Sequence, residues 1–151
     1  MPPGLPPSQP PDQLAHEVIQ LLVAMSGRLS QHFAARAAEF ALSTGEGKVL
    51  LALEPGSTLS MRALARMLGY DASNLTGIVD KLEDRGAVER RADPSDRRVK
   101  TIAATEQGLQ LRERLAQRLR SDAGPVSALT EAQLGELRTL LQLAMGEEAR
   151  R

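Results

Sequence analysis

Two neighbouring segments of the chain carry polar and charged side chains that could recognise a partner. In the first, a helical projection from Asp71 places small polar residues opposite an apolar stripe. The residues on and beside that polar face are Ser73, Asn74, Thr76, Gly77, Asp80, Lys81 and Asp84. In the second, residues 85–100 contain six basic and three acidic residues, a local net charge of +3 in a chain with 19 residues of each kind. Both segments favour hydrogen bonding and charge pairing over bond breaking.

The residue patterns of an active site are missing. An enzyme would need a nucleophile beside a base, paired carboxylates in a cleft or a phosphate-binding glycine loop, and the sequence shows none of these. The chain has no cysteine, which excludes disulfides and thiolate metal sites. His16 and His32 project about 160° apart around one predicted helix, so they cannot share a metal within one chain. A histidine site shared between subunits stays open, but we predict no enzyme activity, cofactor or metal.

Length and composition predict one mainly helical domain. A chain of 151 residues can bury one core, and with 42% apolar but 2% aromatic residues that core is built from Leu, Ala, Val and Met. The longest apolar stretch, Val18–Met25, is too short to cross a bilayer, and no signal peptide is recognisable. We therefore expect a cytoplasmic protein without a membrane partner.

The chain begins with a proline-rich arm and continues as a long helix. Residues 1–11 contain six prolines and are predicted to be flexible, whereas residues 12–151 form the single domain. Apolar residues recurring every three or four positions predict a helix from Asp12 to about Leu42. Its apolar stripe comprises Leu14, Val18, Leu22, Met25, Leu29 and Phe33. This stripe packs either within the monomer or against a second subunit as well.

Shorter elements follow in the order of a winged helix-turn-helix. Five further helices are predicted to start at the capping residues Ser43, Ser60, Asp71, Thr105 and Thr130. Only the Gly69 turn separates the second and third of these, as in a helix-turn-helix. Residues 58–59 form an extended link, and strands at Val88–Arg91 and Val99–Ala103 form a hairpin with a basic tip. Because the major groove of DNA admits one α-helix, this order favours DNA binding.

Several segments at fixed spacing resemble the MarR family. They are DASNLTGIVDKLEDRG at 71–86, VERR at 88–91, DPSDRR at 93–98 and TEQG at 105–108. The likeness extends over about residues 12–148. It implies a mostly α fold with a small β-hairpin wing, in which 43–104 form the winged helix-turn-helix and 12–42 with 105–148 form dimerisation helices. It also implies a homodimeric regulator, expected to be a repressor, on a pseudo-palindromic operator in double-stranded DNA.

The resemblance also assigns roles to individual residues. The expected contacts with bases and phosphates are Ser60, Arg62, Ser73, Asn74, Thr76, Gly77 and Lys81. At the wing, Asp96 is expected to hold Arg98 in the minor groove, with Arg97 as the close alternative. The expected dimer interface contains Leu14, Val18, Leu22, Met25, Leu29, Leu137, Leu140 and Leu141.

Three questions stay open at this level. Many relatives carry a basic residue where this chain has Gly77, so base reading is expected to be weaker, and the glycine either permits close approach to DNA or is merely tolerated. A small-molecule effector is possible, but no polar cluster identifies its site. Finally, the zero net charge leaves a protein-binding winged helix as the alternative function.

Overall fold

The structure, a computed structural model, describes residues 11–93 and 95–146. Six α-helices and three short strands follow one another in this part of the chain. They are α1 Pro11–Ala38, α2 Thr44–Ala52, β1 Leu59–Ser60, α3 Met61–Leu68, α4 Ala72–Asp84, β2 Val88–Ala92, β3 Lys100–Ala104, α5 Glu106–Arg120 and α6 Glu131–Ala144. A 3₁₀ turn, Gly124–Val126, which the sequence did not indicate, separates α5 from α6. The predicted mostly helical fold with a small wing is confirmed.

The chain forms two compact units. One contains the described residues up to His32 together with those from Gly124 onward, and the other contains Phe33–Ala123. The second unit, called the winged unit below, holds the end of α1 and all of α5 in addition to the winged helix-turn-helix. The sequence had assigned α5 to the dimerisation region. The predicted proline-rich arm lies outside the described residues except for Pro11, which is already in α1.

Hydrogen bonds at the helix starts confirm five predicted caps. The side chains of Ser43, Ser60, Asp71, Thr105 and Thr130 each accept a hydrogen bond from the backbone N–H three residues on. Ser43 and Thr130 form full capping boxes with Glu46 and Gln133. Such caps satisfy donors that a helix start leaves unpaired, each contributing about 1 kcal/mol. They fix where each helix begins.

Helix α1 differs from its prediction at both ends. It starts at Pro11, so that Asp12 lies in the first turn and is not the cap. It ends at Ala38 instead of near Leu42 because Ala41 adopts a left-handed conformation with φ of 54° and the Leu42 N–H donates back to the Ala37 carbonyl. The Arg85 guanidinium donates to the Ala41 carbonyl at 2.5 Å and holds this turn.

The wing is part of a three-stranded antiparallel sheet in the order β1–β3–β2. Strands β2 and β3 pair from Val88 opposite Ala104 to Ala92 opposite Lys100, which confirms the predicted hairpin. The predicted extended link pairs as a strand, with Leu59 opposite Ile102 and Ser60 opposite Thr101. Two residues are too short a run for a strand pattern to show in the sequence.

The winged unit is built around aliphatic side chains from all its elements. Its largest fully buried side chains are Leu50, Leu53, Leu64, Leu75, Leu82, Ile102 and Leu115, with Val49, Val79 and Val88. Of the predicted apolar face of α4, Leu75, Val79 and Leu82 are among them, and Ile78 is half-buried against this core. Each fully buried side chain of this size stabilises the fold by about 1.5–3 kcal/mol, so this core fixes the positions of α3, α4 and the sheet.

Replacing Gly108 by alanine should destabilise the winged unit. A Cβ at residue 108 would lie 1.8 Å from the Ala87 carbonyl oxygen, so the start of α5 would have to move away from β2. We expect a loss of about 1–3 kcal/mol in unfolding free energy, measured by urea denaturation. Gly77→Ala is the matched control, since a Cβ there meets nothing within 4 Å and should stabilise α4 by about 1 kcal/mol. Equal midpoints for both variants would contradict this packing.

Candidate nucleic-acid interface

The outer face of α4 is exposed and carries mostly small polar side chains. Ser73, Asn74, Thr76, Gly77 and Lys81 are all exposed, as the sequence predicted. The opposite face, with Leu75, Val79 and Leu82, is buried. The face that carries the predicted contacts is therefore open in the protomer.

Several polar groups on this face already have partners within the helix. The Ser73 hydroxyl donates to Asp71 Oδ1 at 2.7 Å, and the Thr76 hydroxyl donates to the Ala72 carbonyl at 2.8 Å. The Asn74 backbone N–H and the Ser73 hydroxyl hold the pKa of Asp71 below its usual value. The Asp71 carboxylate is therefore ionised at neutral pH, and its negative charge interacts favourably with the positive end of the α4 helix dipole.

Arg90 of β2 connects the wing to α4. Its guanidinium forms ion pairs with Asp80 and Glu83, and its backbone N–H donates to Glu83 at 3.3 Å. The hydrogen bond that Arg90 donates to Asp80 and the charge of Glu83 raise the pKa of Arg90, against the opposite effect of burial. Asp80 lies on the polar face predicted from the sequence, where an unpaired carboxylate would repel phosphates, and the sequence analysis gave Arg90 no role. The pairing instead neutralises much of the acidic C-terminal end of α4. The spacing of Asp80 and Glu83, one helical turn apart, was the sequence signal that could have indicated a shared basic partner.

The tip of the wing is shaped by aspartates. Asp93 accepts from the backbone N–H and hydroxyl of Ser95, which lower its pKa. Asp96 accepts from the backbone N–H of Arg98 at 3.0 Å. The contact expected between Asp96 and Arg98 is thus made to the backbone, not to the guanidinium. Within the described residues Arg97 and Arg98 form no ion pair, and both are exposed.

Helix α3 contributes two further cations beside α4. Ser60 caps this helix, accepting from the Ala63 N–H at 3.1 Å, and Arg62 is exposed as predicted. Arg66, which the sequence analysis did not select, is also exposed one turn further on. Residues four apart share a helix face, so this spacing was the signal that could have identified it.

The predicted dimer residues lie on apolar faces of α1 and α6 that are open in the protomer. Leu14 is 55% exposed and Leu140 63% exposed. Val18, Leu22, Leu29 and Leu141 are likewise exposed, while Met25 and Leu137 are half-buried. Further exposed side chains on these two helices are Ile19, Leu21, Val23, Leu143 and Met145. The apolar surface is thus wider than the predicted stripe.

The histidines and acidic residues show no metal arrangement within the described residues. His16 bonds to Gln20 at 2.9 Å, and the His32 ring lies against Gly124. No three residues of the types His, Cys, Asp and Glu come close enough to bind an ion there. In the same part of the chain, no helix has the length and hydropathy needed to span a membrane.

A cavity of about 400 Å³ lies within the winged unit. Its lining includes Phe40, Arg85, Gln107, Leu111 and Arg114. The Arg114 guanidinium lies over the Phe40 ring, 5.2 Å from its centroid. Glu39 also lines it, but its carboxylate is paired with Arg118 and Arg36, and the Arg118 hydrogen bond lowers its pKa. The sequence did not reveal this cavity because its residues come from distant segments.

Comparison with known proteins agrees with this geometry. The MarR family model matches residues 42–100, which contain the helix-turn-helix and most of the wing. A putative transcriptional regulatory protein for the hcr operon of Thauera aromatica is 34% identical over 94 residues, 62% of this chain. The matched region spans 55% of that relative, so the chain covers about half the length of the curated relative it matches.

Two solved structures are similar over most of their length. CouR from Rhodococcus jostii RHA1, bound to p-coumaroyl-CoA, is 34% identical with a TM-score of 0.72 over 85% of this chain and 92% of that one. A MarR-family transcriptional regulator from Rhodococcus sp. RHA1 is 32% identical with a TM-score of 0.73 over the same shares. With the family motifs, the open α4 face and the arginine-tipped wing, these matches show that the chain belongs to the MarR family of transcriptional regulators.

Proposed function

We propose that this protein is a homodimeric repressor that binds a pseudo-palindromic operator in the cytoplasm and is released by a small molecule. The observation that carries the proposal is an open polar face on α4, together with wing arginines that form no ion pair with any residue the structure describes. The outer face of α4 fits the major groove in size, and the exposed Arg97 and Arg98 suit the negative potential of a narrow minor groove.

The groups around this surface support contact with phosphates. Arg62 and Arg66 of α3 and Lys81 of α4 are exposed cations, and Ser60 keeps a hydroxyl proton to donate. Because Arg90 is paired with Asp80 and Glu83, the acidic end of α4 repels DNA less than its composition suggests. These residues position the protein on the duplex, while base edges supply sequence information.

A second copy of the chain is the partner we propose for the apolar faces of α1 and α6. Most of the exposed large apolar side chains of the described residues lie on α1 and α6. Monomeric proteins rarely leave large apolar patches exposed, and a two-fold dimer would bury equivalent patches from each copy. A dimer also presents two α4 helices, which is what a pseudo-palindromic site requires.

We propose that an anionic effector binds the cavity beside Phe40. Arg85 and Arg114 line it without a carboxylate partner in the described part of the chain, whereas Glu39 is engaged by two other arginines. CouR holds p-coumaroyl-CoA, an anionic aromatic thioester. Arg85 also contacts the turn after α1 and follows α4 directly. An effector bound there would therefore contact Arg85, the residue at the end of α4, which is the proposed recognition helix.

Removing the wing arginine should weaken operator binding without unfolding the protein. We expect Arg98→Ala to reduce affinity at least about tenfold, since a hydrogen bond of a charged group contributes about 1.5–3 kcal/mol. The salt dependence, measured by fluorescence anisotropy, should become shallower. Arg120→Ala removes the same charge from a residue paired with Glu113 and serves as control. If the affinity of the wild-type protein for DNA did not change with salt concentration, the protein-binding alternative would be favoured.

Charges on α1 should dissociate the dimer. Leu22 and Leu29 are exposed in the protomer, so replacing both by glutamate leaves its core intact but places four carboxylates in the proposed interface. We expect sedimentation at the monomer mass and loss of tight operator binding. Met67→Glu, at a 59% exposed residue of α3, should remain a dimer. A monomeric wild-type protein would contradict the proposal.

The effector proposal predicts that Arg114→Ala weakens the response to the effector but leaves the affinity for DNA unchanged. For the wild type, adding p-coumaroyl-CoA to the operator complex should lower the affinity for DNA. For Arg114→Ala, the affinity without effector should be unchanged, but a higher effector concentration should be needed. Arg120→Ala, on the same helix but outside the cavity, should respond like the wild type. Equal responses from both variants would exclude the cavity as the site.

A further inference from the structure

The hydrogen bonds of α4 distinguish which of its outer side chains is free to read a base. The hydroxyls of Ser73 and Thr76 donate to Asp71 and to the Ala72 carbonyl, so their protons are already engaged. Gly77 has no side chain. The Asn74 amide is exposed, and it has no hydrogen-bond partner within the described residues. Asn74 therefore keeps both an amide donor and an amide acceptor for a ligand.

We propose that Asn74 reads adenine in each operator half-site and that the operator presents an A·T pair at that position. The inference rests on the proposed function, since it requires α4 in a major groove. An asparagine amide can accept from adenine N6 and donate to N7 at once, a pattern that no other base edge offers. Asn74 lies in the first turn of α4, the part of a recognition helix that contacts base edges.

Gly77 gives Asn74 the space to do this. Side chains on a helix point toward its N-terminus, so a side chain at 77 would lie over residues 73 and 74. A Cβ built on Gly77 meets no atom within 4 Å, which shows that the glycine is not required by internal packing. Its φ is also in the ordinary range for a helix. The glycine thus leaves the approach to Asn74 clear and removes a side chain that could select guanine.

Lys81 does not compete for this role. It lies seven residues beyond Asn74, about 10 Å further along the helix axis. Its neighbours along the same side, Asp80 and Asp84, are acidic and unsuited to a deep position in the groove. If the first turn of α4 enters the groove, Lys81 reaches the phosphate backbone at its edge. The base preference of α4 then depends mainly on Asn74.

The test is selection of bound sequences from a random duplex pool with three proteins: wild type, Asn74→Ala and Arg120→Ala. The wild type should enrich a palindrome with A·T at one symmetric position, and Asn74→Ala should lose the preference at that position only. Arg120→Ala is the control, because Arg120 is paired with Glu113 outside the proposed DNA-binding surface, and it should keep the wild-type preference.

A binding measurement on the selected duplex then identifies the atoms. Replacing the chosen adenine by 7-deazaadenine removes the N7 acceptor while keeping the base pair. It should weaken wild-type binding about five- to a hundredfold and leave Asn74→Ala binding unchanged.

Three results would overturn the inference. A G·C pair at the symmetric positions in contact with α4, or a preference for A·T that survives Asn74→Ala, would exclude Asn74 as the reader while leaving the regulator function intact. A wild-type protein that enriches no sequence would overturn both this inference and the proposed operator binding.

Discussion

The ion pairs of Arg90 are the constraint on which the proposed DNA-binding surface depends. One guanidinium from β2 joins two carboxylates of α4, one turn apart, and so fixes the helix against the wing strand. The buried side chains of Leu75, Val79 and Leu82 hold α4 on the core through apolar packing, which is not directional. Charge-assisted hydrogen bonds have defined geometry. They therefore give α4 a defined orientation relative to β2, and they compensate acidic residues close to where a polyanion would lie.

Much of the fold could be predicted because local signals agreed with one another. Ser43, Ser60 and Asp71 are capping residues followed by apolar periodicity, and each begins a helix as expected. The failures occur where distant residues decide the conformation. The end of α1 depends on a left-handed Ala41 held by Arg85, 44 residues away, and strand β1 exists only through its pairing with β3.

The same distinction applies to the functional surface. Exposure of the α4 face follows from its 3.6-residue periodicity and needed no coordinates. In contrast, the engagement of Ser73 with Asp71 and the pairing of Asp80 with Arg90 depend on side-chain geometry. These contacts decide which of several plausible polar residues remains free. Sequence alone therefore predicted which face of α4 is exposed but ranked its residues too evenly, and it gave no sign of the cavity beside Phe40.

The central position of β3 has a mechanical consequence. This strand pairs on one side with β2 of the wing and on the other with β1, whose Ser60 caps α3. Any tilt of the hairpin is thus transmitted through backbone hydrogen bonds to the start of α3 and to Arg62 beside it. The hairpin and the first turn of α3 are therefore mechanically coupled through β3. In the proposed complex with DNA, the contacts of the wing and those of the first turn of α3 therefore belong to one connected sheet.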